Sequence, residues 1–232
     1  MEIAQNASKY HEIPELDKGL YLLEHRRCYD DIIEYCNQLC YRGYLQAMRG
    51  EKDSTDQSSL PAMMTVHIDG VCKTPSSGSK VNELEAEAIA NWIAQNESRL
   101  LSEYSDSLKK SDKAVHIGNI VAIITPFSPQ KTAILKALKA KELGINSNNQ
   151  LITVGTVHAL QGAERPIILF SQTYSKALDG GFIDKEPSML NVAVSRAKDT
   201  FIYCGDIDVL NRADKGSARG ILASWLNRRS EH

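Results

Sequence analysis

The sequence predicts an α/β domain with a mainly parallel central sheet and helices on both of its faces. Short apolar runs alternate with longer segments in which apolar residues recur at helical spacing, and this alternation is typical of parallel sheets. The run Ile120–Ile124 is apolar at every position, as is usual for a strand buried on both faces. The length of 232 residues suits one such domain, and neither an internal repeat nor a linker divides the chain.

The beginning of the chain predicts a polar tail followed by one helix. Residues 1–18 are polar and are expected to be poorly ordered, so the domain is predicted to cover residues 19–232. Asp31 and Glu34 have the spacing of a capping box, and the apolar spacing that follows predicts a helix over Asp31–Met48.

A strand and a second helix are predicted next. Met64–Ile68 is the predicted strand. Asn82 belongs to the residue types that commonly cap helices, so we expect a helix to begin after it. The apolar stripe of this helix is formed by Leu84, Ala88, Ile89, Trp92 and Ile93. Residues 97–116 are polar and fit either a continuation of the helix or an insertion.

The second half of the chain continues the alternation of strands and helices. Strands are predicted at Ile120–Ile124, Leu151–Val157, Pro166–Phe170 and Thr200–Cys204. Helices are predicted at Pro129–Leu143, Pro187–Lys198 and Ala218–Leu226. Because ligands of parallel sheets usually bind beyond the carboxyl ends of the strands, we expect the chemistry in the loops that follow those ends.

The formal charge of −2 is distributed unevenly along the chain. Residues 1–118 contain 13 Lys and Arg against 19 Asp and Glu, whereas residues 119–232 contain 14 against 10. An acidic whole can therefore still carry a basic working face. The fractions of 42% hydrophobic and 24% charged residues exclude a fibrous or wholly disordered protein.

The sequence indicates a soluble, cytoplasmic protein without a metal centre. The amino terminus has no basic stretch followed by an apolar run, and the apolar runs are too short to cross a membrane. Cys28, Cys36 and Cys40 could join His25 in a zinc site. A place in the apolar core is the better explanation, because Cys36 and Cys40 share a helix face with isoleucines.

Two segments carry side chains that suit a nucleotide. In Gly155–Glu164 a strand enters a polar turn, where hydroxyls and backbone amides suit phosphate and a carboxylate can accept from two ribose hydroxyls. An ordinary turn between two strands would explain the same residues equally well. In Pro187–Lys198, Arg196 lies off the apolar stripe and must point at solvent or at an anion, with a surface salt bridge as the alternative. The stripe is formed by Leu190, Ala193, Val194 and Ala197.

Two further segments are less specific when each is taken alone. In Glu24–Arg27 an aromatic ring adjoins arginines, an arrangement that could stack on a base and hold a phosphate. A solvated run of charges would explain this segment as well. Ile123–Phe127 is a predicted strand that ends in Thr-Pro.

Taken together and in this order, the four segments resemble the second RecA-like domain of a superfamily 1 helicase. The branch that includes the nonsense-mediated-decay helicase is the most similar, and the resemblance covers about residues 20–201. The stretch TVHALQGAER resembles helicase motif V, and GGFIDKEPSMLNVAVSRAK resembles motif VI with its lead-in. The stretch IVAIITPFSPQ resembles the I-T-P-[YF]-x-x-Q segment of the family. The stretch LLEHRRCYDDIIEYCNQLCYRGYL resembles the Q-Y-R-M-H-P segment and the residues that follow it. Asn82 and Glu85 fit the N-x-x-E helix start of the family.

The resemblance implies a RecA-like three-layer fold and a set of nucleotide contacts. Arg26 and Arg196 match the two arginines that reach the γ-phosphate of ATP, and such an arginine can be worth roughly 10³- to 10⁵-fold in rate. Gly162 and Glu164 match positions that line the nucleotide, with Glu164 near the ribose. His25 stands where the family usually has a tyrosine that stacks on adenine.

The resemblance also implies contacts with a nucleic acid, although the chain departs from the family pattern at several positions. Gln161 matches a position that links the nucleotide state to the strand-binding surface. Positions near the nucleic-acid backbone are matched by Thr125, Thr156 and His158. Arg27 and Cys28 replace the Met and His of the family, which weakens any detailed prediction for the end of the site that stacks on the base.

The sequence contains no G-x-x-x-x-G-K-[ST] motif and no Asp-Glu box after a strand. In the resembled family, these groups belong to the first RecA-like domain, and ATP with its Mg²⁺ binds between the two domains. The chain is therefore expected to supply one wall of the site, to act with a first RecA-like domain on single-stranded DNA or RNA, and to be inactive alone.

Two alternatives remain at this point. The chain could be a stand-alone, catalytically inactive RecA-like module that binds a strand or a partner protein. A UvrD-type helicase of opposite polarity shares the character of motif V, but the TPF and LNVAVSRAK segments favour the first interpretation.

Overall fold

The computed structural model describes residues 23–53, 56–76, 78–146, 149–157 and 164–228. The strands of this part, in chain order, are β1 (Glu24–His25), β2 (Gln46–Ala47), β3 (Met63–His67), β4 (Val121–Ile124), β5 (Ile145–Asn146), β6 (Asn149–Gln150), β7 (Thr153–Gly155), β8 (Arg165–Ser171) and β9 (Ala197–Gly205). The helices are α1 (Asp30–Cys40), α2 (Glu83–Lys110), α3 (Ser128–Ala140), α4 (Phe182–Lys185), α5 (Pro187–Ser195), α6 (Ile207–Asn211) and α7 (Ala218–Arg228).

Five strands form the central sheet in the order β3-β9-β8-β4-β7. Every neighbouring pair is parallel, with Ile123 opposite Leu169 and Ile168 opposite Phe201 in the register. The strand order differs from the chain order, so the connections cross over the faces of the sheet, where the helices lie. The predicted α/β fold with a parallel sheet is confirmed.

Two apolar layers cover the two faces of the sheet. Successive residues of β4 point to opposite faces, so Ile123 joins one layer and Ile124 the other. The layer on the side of α2 and α3 contains Ile89, Ile93, Ile134, Leu138, Ile167 and Leu169. The layer on the side of α1, α5 and α7 contains Ile32, Leu190, Leu222, Ile168 and Phe170. Each fully buried side chain of this kind contributes roughly 1.5–3 kcal/mol.

The first helix differs from its prediction at both ends. It begins after Tyr29, which places Asp31 inside the first turn, so the predicted capping box is wrong. It ends at Cys40 rather than at Met48, because Arg42 and Gly43 adopt positive φ angles of 52° and 82°. The chain then turns back, and β2 pairs in parallel with β1.

The second helix confirms its predicted cap and resolves an open question. The Asn82 side chain accepts a hydrogen bond from the Glu85 amide at 3.1 Å. The helix continues without interruption to Lys110, so the polar residues after 96 continue it rather than forming an insertion. Leu84, which the predicted stripe includes, is 56% exposed, whereas Glu85 and Ala86 in the same turn are buried, so the buried face of the helix begins with these two residues instead.

The other predicted elements are confirmed with shifted ends. Pro187 begins α5 as predicted, but the helix ends at Ser195 instead of Lys198. Ala197 already belongs to β9, where it pairs with Arg165 of β8. The last residues that the apolar spacing assigns to α5 therefore belong to β9, because pairing with β8 outweighs the local pattern. Among the described helices, none combines the length and the apolar character that crossing a membrane requires.

The buried side chain of Glu85 holds the backbone in place where β8 ends, at the carboxyl edge of the sheet. Glu85 is fully buried and accepts hydrogen bonds from the Ser171 hydroxyl at 2.5 Å and from the Thr173 amide at 2.9 Å. Thr173 has a φ of 75°, which is rare for a β-branched residue, so these bonds hold an otherwise unfavourable backbone. Burial raises the pKa of Glu85 from 4.5 to about 8, although the two donors oppose the shift.

The raised pKa of Glu85 predicts a pH-dependent stability. The folded chain holds this proton more strongly than the unfolded chain, so the stabilisation is present at low pH and is lost as the pH rises toward 8. Relative to Glu85→Gln, the wild type should lose roughly 3 kcal/mol of unfolding free energy between pH 5 and pH 8. Urea denaturation across this range measures the difference. Glu87→Gln, which changes an exposed carboxyl on the same helix, should keep the wild-type slope, and an equal slope in Glu85→Gln would contradict the prediction.

Candidate functional site

The parallel sheet separates the predicted site residues into two groups. Glu164 directly precedes β8 and Arg196 directly precedes β9, so both lie at the amino edge of the sheet. Thr125 follows β4 and Thr156 follows β7, so both lie at the carboxyl edge. Glu164 and Arg196 therefore do not lie beyond the carboxyl ends of the strands, where the sequence pattern predicts the site residues.

Three predicted site residues lie outside the described part of the chain. These are His158, Gln161 and Gly162. Their roles remain predictions.

One arginine connects the segments at the amino edge. The Arg27 guanidinium donates one N–H to the Glu164 carboxylate and another to the Ser195 carbonyl at 2.9 Å. Lys198 Nζ lies 3.4 Å from the other Glu164 oxygen. We call Arg27, Glu164, Ser195 and Lys198 the amino-edge cluster. It brings together residues that are far apart in the sequence.

The electrostatics of the cluster keep the Glu164 carboxylate charged. Burial alone would raise the pKa of Glu164, but Arg27 and Lys198 outweigh it and hold the pKa below its ordinary value. Each carboxylate oxygen can accept two hydrogen bonds and has one cationic partner here, so Glu164 retains capacity for a further donor. An ionised acceptor that cations hold in place suits recognition of hydroxyl groups.

The two predicted arginines stand beside this cluster in different environments. Arg26 is exposed and pairs with Glu24 at 2.8 Å, so its side chain is not enclosed by the cluster. Arg196 is partly buried, and its Nε atom is buried without a hydrogen-bond partner in the described part of the chain. No ion pair of Arg196 occurs among the described residues, so the surface salt bridge considered above is not observed there.

His25 is held by its own loop. Its Nε2 accepts a hydrogen bond from the Cys28 amide at 3.3 Å and lies 3.2 Å from the Cys28 sulfur. Burial and then the charge of Arg27 lower the pKa of His25, so the ring is neutral at physiological pH. Cys28 and Cys36 are buried in the apolar layer, whereas Cys40 is exposed, contrary to the expected shared core face.

Arg49 and Asp199 belong to the site but are missed by the sequence patterns. Arg49 donates to the carbonyls of Arg27 at 2.7 Å and of Lys198 at 2.6 Å, and also to the Asp199 carboxylate at 2.6 Å. Its guanidinium stacks 3.7 Å from the centre of the Tyr29 ring. Because Arg49 and Asp199 are 150 residues apart, no local sequence motif predicts their contact.

A cavity of about 350 Å³ lies between these residues and the end of α2. Its charged lining consists of Arg26, Arg27, Arg49, Lys113, Lys198, Glu164 and Asp199. The five cations outnumber the two carboxylates, so the cavity favours an anion. A larger groove of about 680 Å³ between α2 and α3 contains none of the predicted site residues.

The carboxyl edge presents a different surface. Thr125 is fully buried, and its hydroxyl lies 3.4 Å from the Thr173 hydroxyl and accepts from the Phe127 amide at 3.4 Å. The Thr125 side chain therefore supports the loop, while Thr156 is only partly buried and reaches the surface. Phe182, which is 39% exposed, lies with its ring centre 5.7 Å from that of Phe127.

Comparisons with known proteins show what the sequence of this chain is similar to. A family model described as AAA domain matches residues 7–208. The 5'-3' DNA helicase ZGRF1 of Mus musculus is 26% identical over 196 residues, covering 84% of this chain and 10% of the relative. Regulator of nonsense transcripts 1 of Dictyostelium discoideum is 25% identical over 198 residues, covering 80% of this chain and 13% of the relative. These matches confirm the resemblance to helicases.

The matches also define how much of each relative is compared. The chain spans between 8% and 21% of the length of the curated relatives it matches. Among solved structures, the C-terminal domain of a possible DNA helicase from Lactobacillus has a TM-score of 0.45 and 16% identity, covering 78% of this chain and 86% of that chain.

The contacts of Asp199 predict a stability effect at the site. Asp199→Asn removes the charge that accepts from Arg49 and from the Tyr104 hydroxyl at 3.0 Å, which leaves a half-buried guanidinium without its counter-ion. The unfolding free energy should fall by roughly 2 kcal/mol, measured by urea denaturation. Asp106→Asn changes an exposed carboxylate on α2 and should have little effect, so equal losses in the two variants would contradict the assigned contact.

Proposed function

The chain belongs to the AAA domain family, and on this premise we propose that it is the second RecA-like domain of an ATP-dependent superfamily 1 helicase or translocase. The observation that carries the proposal is the amino-edge cluster with its cationic cavity. Arg27 there joins Glu164 of the motif V segment to Ser195 of the motif VI segment. A polyanion with hydroxyl groups, such as ATP, fits this combination of cations and one ionised acceptor.

In the proposed site, the chain supplies one side of the ATP-binding cleft. Arg26 and Arg196 would neutralise the charge that develops on the transferring γ-phosphate. The ionised Glu164 would accept from the ribose hydroxyls, Gly162 would line the nucleotide, and His25 would stack on the base. The sequence contains neither the G-x-x-x-x-G-K-[ST] motif nor the Asp-Glu box that would hold the β-phosphate and Mg²⁺, so a first RecA-like domain would provide that side.

The carboxyl edge would face the single-stranded DNA or RNA. Thr156 and His158 would contact its backbone, and Thr125 would hold the neighbouring loop in place. Thr156 follows β7 at the carboxyl edge and Glu164 precedes β8 at the amino edge, so one short stretch of sequence connects the proposed strand contacts to the proposed nucleotide contacts. Gln161 lies within this segment, which suits a role in coupling. Closure on ATP and release after hydrolysis would then advance the protein along the strand.

The proposal predicts that activity needs both domains. The purified chain should show no appreciable magnesium-dependent ATP hydrolysis, whereas the longer protein with a first RecA-like domain should hydrolyse ATP. Arg196→Ala in that longer protein should lower kcat by roughly 10³-fold or more, because the γ-phosphate charge loses its partner. Phosphate release, followed with and without single-stranded DNA or RNA, measures this effect.

Arg212→Ala provides a matched control, because Arg212 is exposed beside α6 and takes no part in the site. Robust turnover by the chain alone that Arg196→Ala abolishes would overturn the division of the site between two domains. Wild-type turnover of the Arg196→Ala longer protein would overturn the role of that arginine. Strand-displacement assays on the longer protein, with DNA and RNA substrates bearing either overhang, then define the substrate and direction.

A further inference from the structure

Arg27 occupies a special position among the basic residues of the cavity. Its guanidinium contacts Glu164 and Ser195, which are 137 and 168 residues away in the sequence. Arg26, the neighbouring arginine that matches the helicase motif, pairs with Glu24 on the surface instead. Arg27 stands where the resembled family has a methionine, so the motif assigns it no role.

The surroundings of Arg27 fix it in place. Its backbone carbonyl accepts from Arg49, which also donates to the Lys198 carbonyl and to Asp199. Its Nε atom is buried without a hydrogen-bond partner in the described residues, so the guanidinium is partly enclosed rather than free in solvent. A side chain that is held at its backbone and engaged at both Nη atoms has little freedom to leave the cluster.

We propose that Arg27 is a positioning residue that holds the Glu164 carboxylate and the backbone leading into Arg196 in one fixed arrangement, an inference that rests on the nucleotide site proposed above. The Ser195 carbonyl belongs to the peptide unit whose nitrogen is that of Arg196. Fixing this peptide therefore fixes where the Arg196 side chain starts.

The chemistry of the guanidinium suits this role. Its planar fork presents N–H groups in fixed directions and can engage a carboxylate and a carbonyl simultaneously. A lysine ammonium is a point charge that can pair with Glu164 but is poorly suited to contact Glu164 and the Ser195 carbonyl at the same time. Methionine has no donor for either acceptor. Displacement of a reacting group by about 1 Å can cost up to a hundredfold in rate, so this arrangement matters for catalysis.

The opposite role would be a block, in which Arg27 covers Glu164 until a ribose displaces it. The geometry favours positioning, because the contact to Ser195 does nothing to cover Glu164 and because the carboxylate keeps acceptor capacity. The two roles have opposite consequences. Removing a positioning residue slows hydrolysis, whereas removing a block tightens nucleotide binding.

The first test uses the chain itself and does not depend on ATP hydrolysis. In Arg27→Met, hydrogen exchange of the backbone amides at 193–198 should accelerate about tenfold, while exchange in α2 stays as in the wild type. Arg99→Met breaks an arginine–glutamate pair on α2, outside the cavity, and should leave 193–198 unchanged. Unaltered exchange at 193–198 in folded Arg27→Met would overturn the proposal.

The second test uses the longer protein and separates kcat from KM. Arg27→Lys keeps the cation beside Glu164 and loses the tie to Ser195, so kcat should fall about tenfold with little change in KM for ATP. Arg27→Met should lower kcat by roughly ten- to a hundredfold and also raise KM. A lower KM or tighter nucleotide binding in either variant would overturn the proposal in favour of the block.

The two tests distinguish this inference from the proposed function. A wild-type longer protein without ATPase activity would overturn the proposed function, while the exchange measurement on the chain would still decide whether Arg27 positions the segment. An active wild type whose Arg27 variants show unchanged kcat would overturn the inference alone. Arg27→Lys also provides a second variant should Arg27→Met fail to fold.

Discussion

The common direction of the five central strands is the constraint on which the rest of the structure depends. Every segment that enters a strand arrives at the amino edge of the sheet, and every segment that leaves departs from the carboxyl edge. The residues just before β8 and β9 are neighbours for this reason, although about 30 residues separate Glu164 from Arg196. Parallel pairing thus brings together Glu164, Ser195 and Lys198, and the side chain of Arg27 completes the amino-edge cluster.

Local sequence patterns predict those features that depend on local interactions. The apolar strands, the cap at Asn82 and the start of α5 at Pro187 follow from the residues themselves, and the structure agrees. Helix ends are less predictable. The last residues predicted for α5 pair in β9 instead, and α1 ends where the chain turns back to form β2. Such pairing depends on partners that lie elsewhere in the sequence.

The same limit applies to the candidate site. Motif resemblance matched Glu164 and Arg196 to nucleotide contacts without placing them at the amino edge, and it drew attention to Arg26 rather than Arg27. Most contacts that give Arg27 and Arg49 their importance are with residues well over 100 positions away. A single sequence contains no signal for such contacts, because the side chains involved have the ordinary composition of a charged surface.

The pKa of a buried or partly buried carboxyl group is shifted in opposite directions at the two edges of the sheet, and this contrast explains why the edges differ in their suitability for binding. Glu85 at the carboxyl edge has neutral donors around it and a raised pKa, so it serves the internal support of a strained loop. Glu164 at the amino edge has two cations beside it and a lowered pKa, so it stays charged close to the surface.

A charged acceptor within a cationic cavity can exchange or share its partners with an incoming anion that carries hydroxyls. A neutral acid enclosed between the Ser171 hydroxyl and the Thr173 amide cannot, because these buried donors have no other acceptor to turn to. The nucleotide contacts proposed above are therefore expected at the amino edge, and the sheet between the edges would carry a change there to the loops around Thr125 and Thr156.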